Sequence, residues 1–302
     1  MAKKILLTGA SGLVGTRLTE MLLQKGYQVS HLGRTTKKGA VLSYVWNVER
    51  NEIDSKAFEG VDAIVHLAGA GVADKRWNDE RKKEILDSRV HSSALLYEQL
   101  KKSNHQVKTF VSASAIGLYG FADTTSVFSE ESLPANDYLA QVVKRWEESV
   151  DQINTLGLRV VKLRIGIVLS EKGGALAEMS KPIRLGVGAP LGTGNQYLSW
   201  IHLDDLCRMF IHALENEKCV GAYNAVAPNW VTNREMTKAI AHVLKRPLLL
   251  PPVPAFVLKM IVGEMADIVL GGSKVSAKKM MDTGFQFQFL KLDDALQNLL
   301  KK

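Results

Sequence analysis

The sequence predicts an α/β protein, a doubly wound parallel sheet with helices on both faces followed by a smaller C-terminal α/β portion. Three observations carry that expectation. Short, almost continuously apolar runs rich in β-branched residues alternate with segments of helical period through the first half of the chain, as strands buried on both faces require. The first run opens straight into a glycine turn and then a helix. With 302 residues, 46% of them hydrophobic, the chain can bury one large core and an appendage, and its 24 Gly and 8 Pro are too few for a disordered or collagen-like chain.

In order along the chain, strands are expected over 4–8, 27–32, 41–46, 63–68, 109–113 and 159–165. Leu13, Val14, Leu18, Met21 and Leu22 form one stripe of a first helix, which Gly26 stops as a C-terminal cap. A second helix is expected over 79–102, with Ile85, Leu86, Val90, Ala94 and Leu95 on its buried side. After about Ser170 the rhythm changes. Gly173, Gly174, Gly186, Gly188, Gly192 and Gly194 punctuate a loop-rich stretch, and Pro247, Pro251, Pro252 and Pro254 mark a further boundary. The expected organisation is a nucleotide-binding sheet domain over 1–170 to which 199–226 returns, substrate-side loops and helices over 171–247, and a helical segment over 248–302 ending in Lys301-Lys302. No internal repeat or low-complexity segment is visible.

Composition narrows the function classes. The two cysteines, Cys207 and Cys219, are spaced C-x11-C, which is neither a disulfide framework nor a metal motif, and no metal site is expected. The opening Met-Ala-Lys-Lys-Ile-Leu-Leu-Thr-Gly does not read as a secretory signal. The most apolar stretch, 254–270, is interrupted by Lys259, Glu264 and Asp267, so no membrane partner is expected and the location reads as cytoplasmic. The net charge of +8 comes from 39 Lys+Arg against 31 Asp+Glu. The pairs Lys37-Lys38, Lys82-Lys83, Lys101-Lys102 and Lys278-Lys279 are scattered and lack interleaved aromatics. That favours a solvated basic surface drawing anionic small molecules over a nucleic-acid partner.

The turn Thr8-Gly9-Ala10-Ser11-Gly12-Leu13-Val14-Gly15 carries the first functional signal. Gly9 permits the tight bend, Gly12 lets backbone approach a pyrophosphate, and Gly15 lets helix and strand pack closely. The helix N-terminus adds unpaired N–H groups and partial positive charge. The end of the second strand indicates which dinucleotide. NAD-preferring sites carry an acid about 20 residues beyond the turn. Here Gly33 and Arg34 lie 18 and 19 residues after Gly15, with no carboxylate. Arg34 can fork onto a 2′-phosphate, helped by Thr35, Thr36 or Lys37. At ~4 Å and an effective dielectric of ~20, a unit charge pair gives roughly 4 kcal/mol before desolvation and screening. NADP(H) is therefore expected over NAD(H).

With TGASGLVG on the first strand, HLAGAG at 66–71 and VSASAIGLYG at 111–120, the chain resembles an extended short-chain dehydrogenase/reductase, a Rossmann-fold group. Trp200-Ile201-His202-Leu203-Asp204-Asp205 is similar to that superfamily's later strand-end motif. Lys75-Arg76-Trp77-Asn78, Lys144-Arg145-Trp146-Glu147, the glycine-rich run 185–196 and the segment from Pro252 to Gly284-Phe285 resemble the atypical "epimerase family" members, over nearly the whole chain. The resemblance implies coenzyme contacts at Gly9, Ser11, Gly12, Leu13, Val14 and Gly15, at Gly33 and Arg34, and at Leu67 and Ala68 beside the adenosine ribose and pyrophosphate. It implies Glu84, Arg89 and Val168 nearer the nicotinamide.

The resemblance also implies a Ser, Tyr and Lys catalytic set with Tyr and Lys spaced Y-x-x-x-K, because a phenol with a pKa near ~10 acts as a base only beside a stabilising cation. Ser114 fits the serine, with Ser112 the second choice, and Tyr138 the tyrosine. Val142 stands where the lysine belongs, and Lys144, six residues on from Tyr138, lies about 240° around an ideal helix. The literal Tyr97–Lys101 spacing falls before the serine strand and reads as coincidence. Arg89 replaces a helix asparagine common in extended members and can stand in for the missing lysine. Tyr119 and the run from Thr193 to Gln196 are further candidates near the mouth; His202, Asp204 and Asp205 read as fixing a strand-to-helix corner. The expectation is an NADP(H)-binding epimerase, dehydratase or reductase for a small polar substrate, nucleotide-linked or free, as a monomer or homodimer, with Ser114, Tyr138 and Arg89 as its catalytic candidates. The alternative is a non-catalytic NADP(H)-binding redox-sensing or scaffold module.

Overall fold

The apolar runs of the first half become strands of one sheet. The computed structural model describes residues 3–36, 39–121 and 126–301; Lys37, the suggested helper of Arg34, lies outside them. The first part of the chain runs β1 (Lys4–Thr8), α1 (Leu13–Gln24), β2 (Gln28–Gly33), β3 (Leu42–Asn47), β4 (Glu52–Ile53), β5 (Ala63–His66), α2 (Asp79–Lys102), β6 (Thr109–Ala115), β7 (Val127–Phe128), α3 (Tyr138–Asp151), β8 (Arg159–Ile165) and β9 (Ile167–Leu169). It continues through α4 (Gly174–Arg184), β10 (Tyr197–Leu198), β11 (Trp200–His202), α5 (Leu203–Glu215), β12 (Gly221–Ala225), β13 (Val231–Thr232) and α6 (Asn233–Val243). The last elements are α7 (Ala255–Val262), α8 (Ala266–Leu270), β14 (Lys274–Val275), α9 (Lys278–Asp282) and α10 (Leu292–Leu300).

The main sheet has the order β12-β8-β6-β5-β1-β2-β3-β4. Its pairings are parallel except for β4 on β3. The chain winds one way from β1 to β3 and then crosses back to β5, so the C-terminal ends of β1 and β5 flank the crevice where strand order reverses. Ile5, Leu6 and Leu7 on β1, Ile64 and Val65 on β5, and Phe110 and Val111 on β6 are buried from both faces. Right-handed crossovers in opposite directions put α1 and α5 on one face and α2 and α3 on the other. A second, smaller core joins Leu176, Leu198, Trp200, Met236, Ile240 and Leu296.

Three expectations are corrected. The strand ending at His66 is the fifth, because the short antiparallel β4 precedes it, and it stops before Leu67 because the amides of Leu67 and Ala68 turn to the Thr8 hydroxyl, at 3.1 and 3.2 Å. On α2, Ile85 and Leu95 are buried but Leu86 and Val90 are only half-buried and Ala94 is exposed. The helix is turned so that Ser92, Ser93, Leu96 and Leu100 face inward, and the two serines reach His66 at 3.2 and 3.3 Å. On α1, Leu13, Val14 and Met21 are half-buried, leaving Leu18 and Leu22 as its inner stripe.

The Trp200–Asp205 motif ties the chain together. His202 caps α5 through the Asp204 amide and lies flat on Phe289, with ring centroids 3.8 Å apart. Asp204 forks with Arg17 of α1 at 2.7 and 3.0 Å. Asp205, 1% exposed, accepts the amides of Gln288 and Phe289, both at 2.9 Å. Further on, α7 and α8 form a hairpin that leaves from and returns to the 190–196 loop and reaches α2 at its tip. Val253 pairs with Leu191 at its start, Glu264 at its tip forms an ion pair with Lys82 of α2, and Gln196 donates to the Val269 carbonyl at 2.9 Å near its end. No helix among the described residues is long and apolar enough to cross a membrane.

Candidate functional site

The glycine turn is shaped by backbone contacts rather than side chains. Gly9 has φ +68°, and a Cβ there would come within 2.7 Å of the Leu67 carbonyl carbon and 2.9 Å of the Ala68 nitrogen. A Cβ on Gly15 would sit 2.3 Å from the Gly9 oxygen. Gly12 is different: a Cβ there would meet only the Gly9 oxygen, at 3.4 Å. Folding thus demands the first and third glycines, while the second keeps open space in front of the turn. Gly12 caps α1 without any side-chain hydrogen bond, and no acid occupies the first helical turn. The amides of Leu13, Val14 and Gly15 therefore lack intrahelical acceptors. Ser11 stands exposed at the crest.

Behind the turn lies a closed relay of hydrogen bonds. The Thr8 hydroxyl accepts the amides of Leu67 and Ala68, so its own proton goes to His66 Nδ1 at 2.8 Å. His66 then carries its proton on Nε2 and donates to Ser92 and Ser93, both of which donate to the Arg89 carbonyl at 3.1 and 2.9 Å. Burial pushes His66 down to about 3, so the ring is neutral and the relay keeps this tautomer. It fixes the ends of β1 and β5 and the middle of α2 relative to one another.

Around this frame the structure brings together most of the expected coenzyme positions. Arg34 is exposed at the end of β2, after the half-buried Gly33. Leu67 and Ala68 line the far side of the crevice, their amides spent on Thr8. Val168 on β9 neighbours the turn, since a Cβ on Gly174 would touch both the Val168 oxygen, at 3.7 Å, and Leu13 Cδ2, at 3.9 Å. Arg89 lies against Gly69, donates to the carbonyls of Ala70 and Ile85 at 3.0 and 2.8 Å, and stacks 5.2 Å above the Trp146 ring. No ion pair links it to a carboxylate among the described residues, and burial pushes it down to about 10. A guanidinium on the middle of α2 that lies against the loop after β5 and meets carbonyls but no carboxylate is suited to an anion. Glu84 is exposed on α2 and bonded by Arg81 at 2.6 Å, which holds its carboxyl below the ordinary range, with smaller contributions from Lys75 and Arg34.

The catalytic candidates are placed differently. Ser114 is 3% exposed and donates to Glu147 at 2.6 Å. Glu147 is forked by Arg164 at 2.8 and 2.9 Å, and Arg164 in turn donates to the Tyr119 hydroxyl, which donates to Asn224. Burial pushes the Glu147 carboxyl up, but Arg164, Ser114 and Lys162 more than reverse this and leave it below the ordinary range. The expected serine and the second tyrosine thus belong to one buried polar network. Tyr138 opens α3, donates to the Lys82 carbonyl at 2.7 Å and meets the Trp77 ring edge-on at 5.1 Å. Burial raises its phenol, and Arg89 and Arg81 reverse that only in part. The phenol therefore keeps its proton and is no ready base. The Tyr97–Lys101 pair sits near the far end of α2, with Lys101 5.7 Å above the ring.

Sequence reading missed the His66 relay and the Glu147–Arg164 network. The signal for the second was present: Lys162 and Arg164 alternate inside an apolar strand, and a charge there requires an acid on the covering helix.

A glycine turn at the reversal point of a parallel sheet, opening a helix with uncapped amides, defines a Rossmann-fold dinucleotide-binding protein. The chain belongs to the NAD dependent epimerase/dehydratase family, whose model matches residues 5–226. A domain of unknown function, DUF1731, matches residues 253–299. Among relatives, the epimerase family protein SDR39U1 homolog, chloroplastic, of Arabidopsis thaliana is 37% identical over 97% of this chain and 86% of its own length. The epimerase family protein YfhF of Bacillus subtilis is 34% identical over 98% of this chain and 97% of its own. The crystal structure of human epimerase family protein SDR39U1 (isoform2) with NADPH superposes with a TM-score of 0.88 at 32% identity, covering 98% of each chain.

Proposed function

We propose that this protein binds NADP(H) across the crevice between β1 and β5 and acts on a small polar substrate, nucleotide-linked or free, as an epimerase, dehydratase or reductase. The observation that carries the coenzyme reading is a set of cationic and N–H groups that no carboxylate of the described residues neutralises: the amides of Leu13, Val14 and Gly15 behind the open Gly12, the exposed Arg34, and the half-buried Arg89. The pyrophosphate takes the turn formed by Gly9, Ser11, Gly12, Leu13, Val14 and Gly15. The 2′-phosphate takes Arg34 beside Gly33, and Leu67, Ala68, Glu84, Arg89 and Val168 line the remainder. The human relative crystallised with NADPH supports this choice.

NADPH supplies a hydride when bound. The residues of this chain then have to deliver a proton, and the Tyr138 phenol, raised by burial, still carries one to give. Tyr138 gives its proton to the substrate oxygen after leaving the Lys82 carbonyl, with Arg89 and Arg81 compensating the phenolate. Ser114 remains in its network and polarises nothing. A second reading, a non-catalytic module that senses NADP(H), draws on the same observation: the hydroxyls of Ser114 and Tyr138 are both engaged by the protein itself.

Titrating NADPH and NADH into wild type and Arg34→Ala tests the coenzyme assignment; the variant is expected to lose at least tenfold of the preference for NADPH, and an unchanged preference sinks it. Following nicotinamide absorbance and epimer products over a carbonyl and sugar-nucleotide panel separates the two readings. Turnover lost in Tyr138→Phe supports the reductase, turnover unchanged in that variant removes the phenol from the mechanism, and silence beside tight binding supports the module.

A further inference from the structure

The hairpin of α7 and α8 is held to the rest of the protein at its two ends and its tip, and hardly at all along its length. Twelve of the sixteen residues 255–270 are apolar, yet only Ala266 among them is buried. Phe256, Met260 and Ile261 are largely exposed. Backbone bonds fasten the base: Val253 donates to the Pro190 carbonyl and accepts from the Gly192 amide, both at 2.8 Å. Leu270 packs on Gly192 and Phe121 on Gly271 where the hairpin returns. A segment that buries so little apolar surface between firm ends opens locally at low cost.

Its tip is held by charge. Glu264 pairs with Lys82 on the first turn of α2, and the Arg76 guanidinium lies against Gly263. Lys82 is also the residue that holds Tyr138. Its carbonyl accepts the phenol at 2.7 Å, and its Nζ stands 5.4 Å above the centre of the same ring, while Trp77 meets that ring edge-on. To reach a substrate oxygen the phenol has to leave the Lys82 carbonyl, and a lysine chain tethered over the ring by Glu264 blocks one face to that movement. The lysine is 24% exposed and Glu264 65%, so the tether is weak: an exposed pair shifts an equilibrium only a few-fold. That is the strength of a catch that opens, not of a permanent brace.

We propose that Lys82 and Glu264 form a latch on the proton donor: the pair shuts the α7–α8 hairpin over Tyr138 with the lysine laid above the ring, and its parting frees the phenol and opens that end of the crevice to substrate. Both act through Tyr138 and are positioning residues. The inference rests on the reading of Tyr138 as the proton donor, and it gives the C-terminal segment the task of controlling when the phenol is available.

The test reads Tyr138 directly, without a substrate. Tetranitromethane nitrates a tyrosine according to the access and ionisation of its phenol, and peptide mass spectrometry of the full-length protein gives the rate at each ring. In Glu264→Gln nitration of Tyr138 is expected to rise at least threefold, while Tyr119, 1% exposed, stays as slow as in wild type. Raising potassium chloride from about 0.05 to about 1 M, which screens an exposed pair, is expected to raise the Tyr138 rate at least twofold in wild type and to leave Glu264→Gln unmoved. A merely structural role would make Tyr119 and Tyr138 rise together, or leave a salt response that survives the substitution. Either result overturns the proposal, as does an unchanged Tyr138 rate in Glu264→Gln. Hydrogen exchange of residues 255–270 reads the hairpin itself. Glu264→Gln and Lys82→Glu are each expected to speed it at least threefold, and Lys82→Glu/Glu264→Lys to return it to within twofold of wild type. Unchanged exchange in the single variants, or a double variant as fast as Lys82→Glu, also overturns the latch. Turnover in Tyr138→Phe separates the two failures: an unmoved nitration rate defeats only the latch, whereas turnover that survives loss of the phenol defeats the reading beneath it.

Discussion

The two ends of the crevice are built on opposite terms. On the glycine-turn side positive and N–H groups are left without a carboxylate: uncapped amides, an exposed arginine, and a half-buried one held only by two backbone carbonyls and the Trp146 ring. On the side of β6, β8 and α3 each polar group is already answered, Ser114 by Glu147, Glu147 by Arg164, Arg164 by Tyr119, and Tyr119 by Asn224. A binding site retains unmet hydrogen-bonding capacity and a structural network does not. The contrast supports the proposal of ligand capture in the first region, and in the second it shows a network that already satisfies the hydroxyl of Ser114.

The largest effect that could break this contrast lies in the network. Arg164→Met leaves Glu147 buried with the Ser114 hydroxyl at 2.6 Å and Lys162, at 3.6 Å, as its only cation, and should cost about 3–5 kcal/mol in denaturant unfolding, with NADPH affinity of the folded protein changed less than threefold. Gly12→Ala sharpens the other side. Its Cβ has room in the folded chain, so stability should hold within ~1 kcal/mol while NADPH affinity falls about 100-fold, or ~2.7 kcal/mol. Calorimetry and thermal melts on the same sample read both quantities.

The relay behind the turn predicts a pH dependence. His66 is held at about 3 in the folded protein against an ordinary 6.5, so the unfolded chain binds a proton that the native one refuses. The stability this neutral ring provides is complete above pH 6.5 and is lost as pH falls toward 3, at a rate of up to about 1.4 kcal/mol per pH unit. Unfolding followed across that window should show the slope in wild type and lose it in His66→Gln. A smaller effect belongs to Ser114→Ala, about 1.5–3 kcal/mol of stability for one hydrogen bond to a buried carboxylate, and no change in coenzyme affinity; a collapse in affinity would place the serine back at the crevice.

What the sequence revealed and what it hid follow from the range of the forces involved. The turn was legible because its constraints are local: Gly9 at φ +68° and Gly15 pressed on the Gly9 oxygen are required within eight residues of each other. The positions of the longer strands were legible because both-face burial leaves nearly uninterrupted apolar runs, whereas the two-residue antiparallel β4 leaves no such run. Lys162 and Arg164 stood in plain view as charges inside an apolar strand, but which acid answers them was hidden, since Glu147 is placed only once the helix covering the strand is known. Arg81 was hidden for the same reason, a cation on the first turn of a long polar helix whose burial depends on a loop folding back over it. The α2 stripe was misplaced because Ser92 and Ser93, which periodicity assigns to water, turn inward for His66.

Asp205 couples two distant parts of the chain. Its carboxylate is sealed inside the molecule and takes the amides of Gln288 and Phe289 as well as Arg208. Lifting the segment around Phe289 off α5 would strand a buried charge with one cation for company, so the helix and that segment are expected to loosen together rather than in turn.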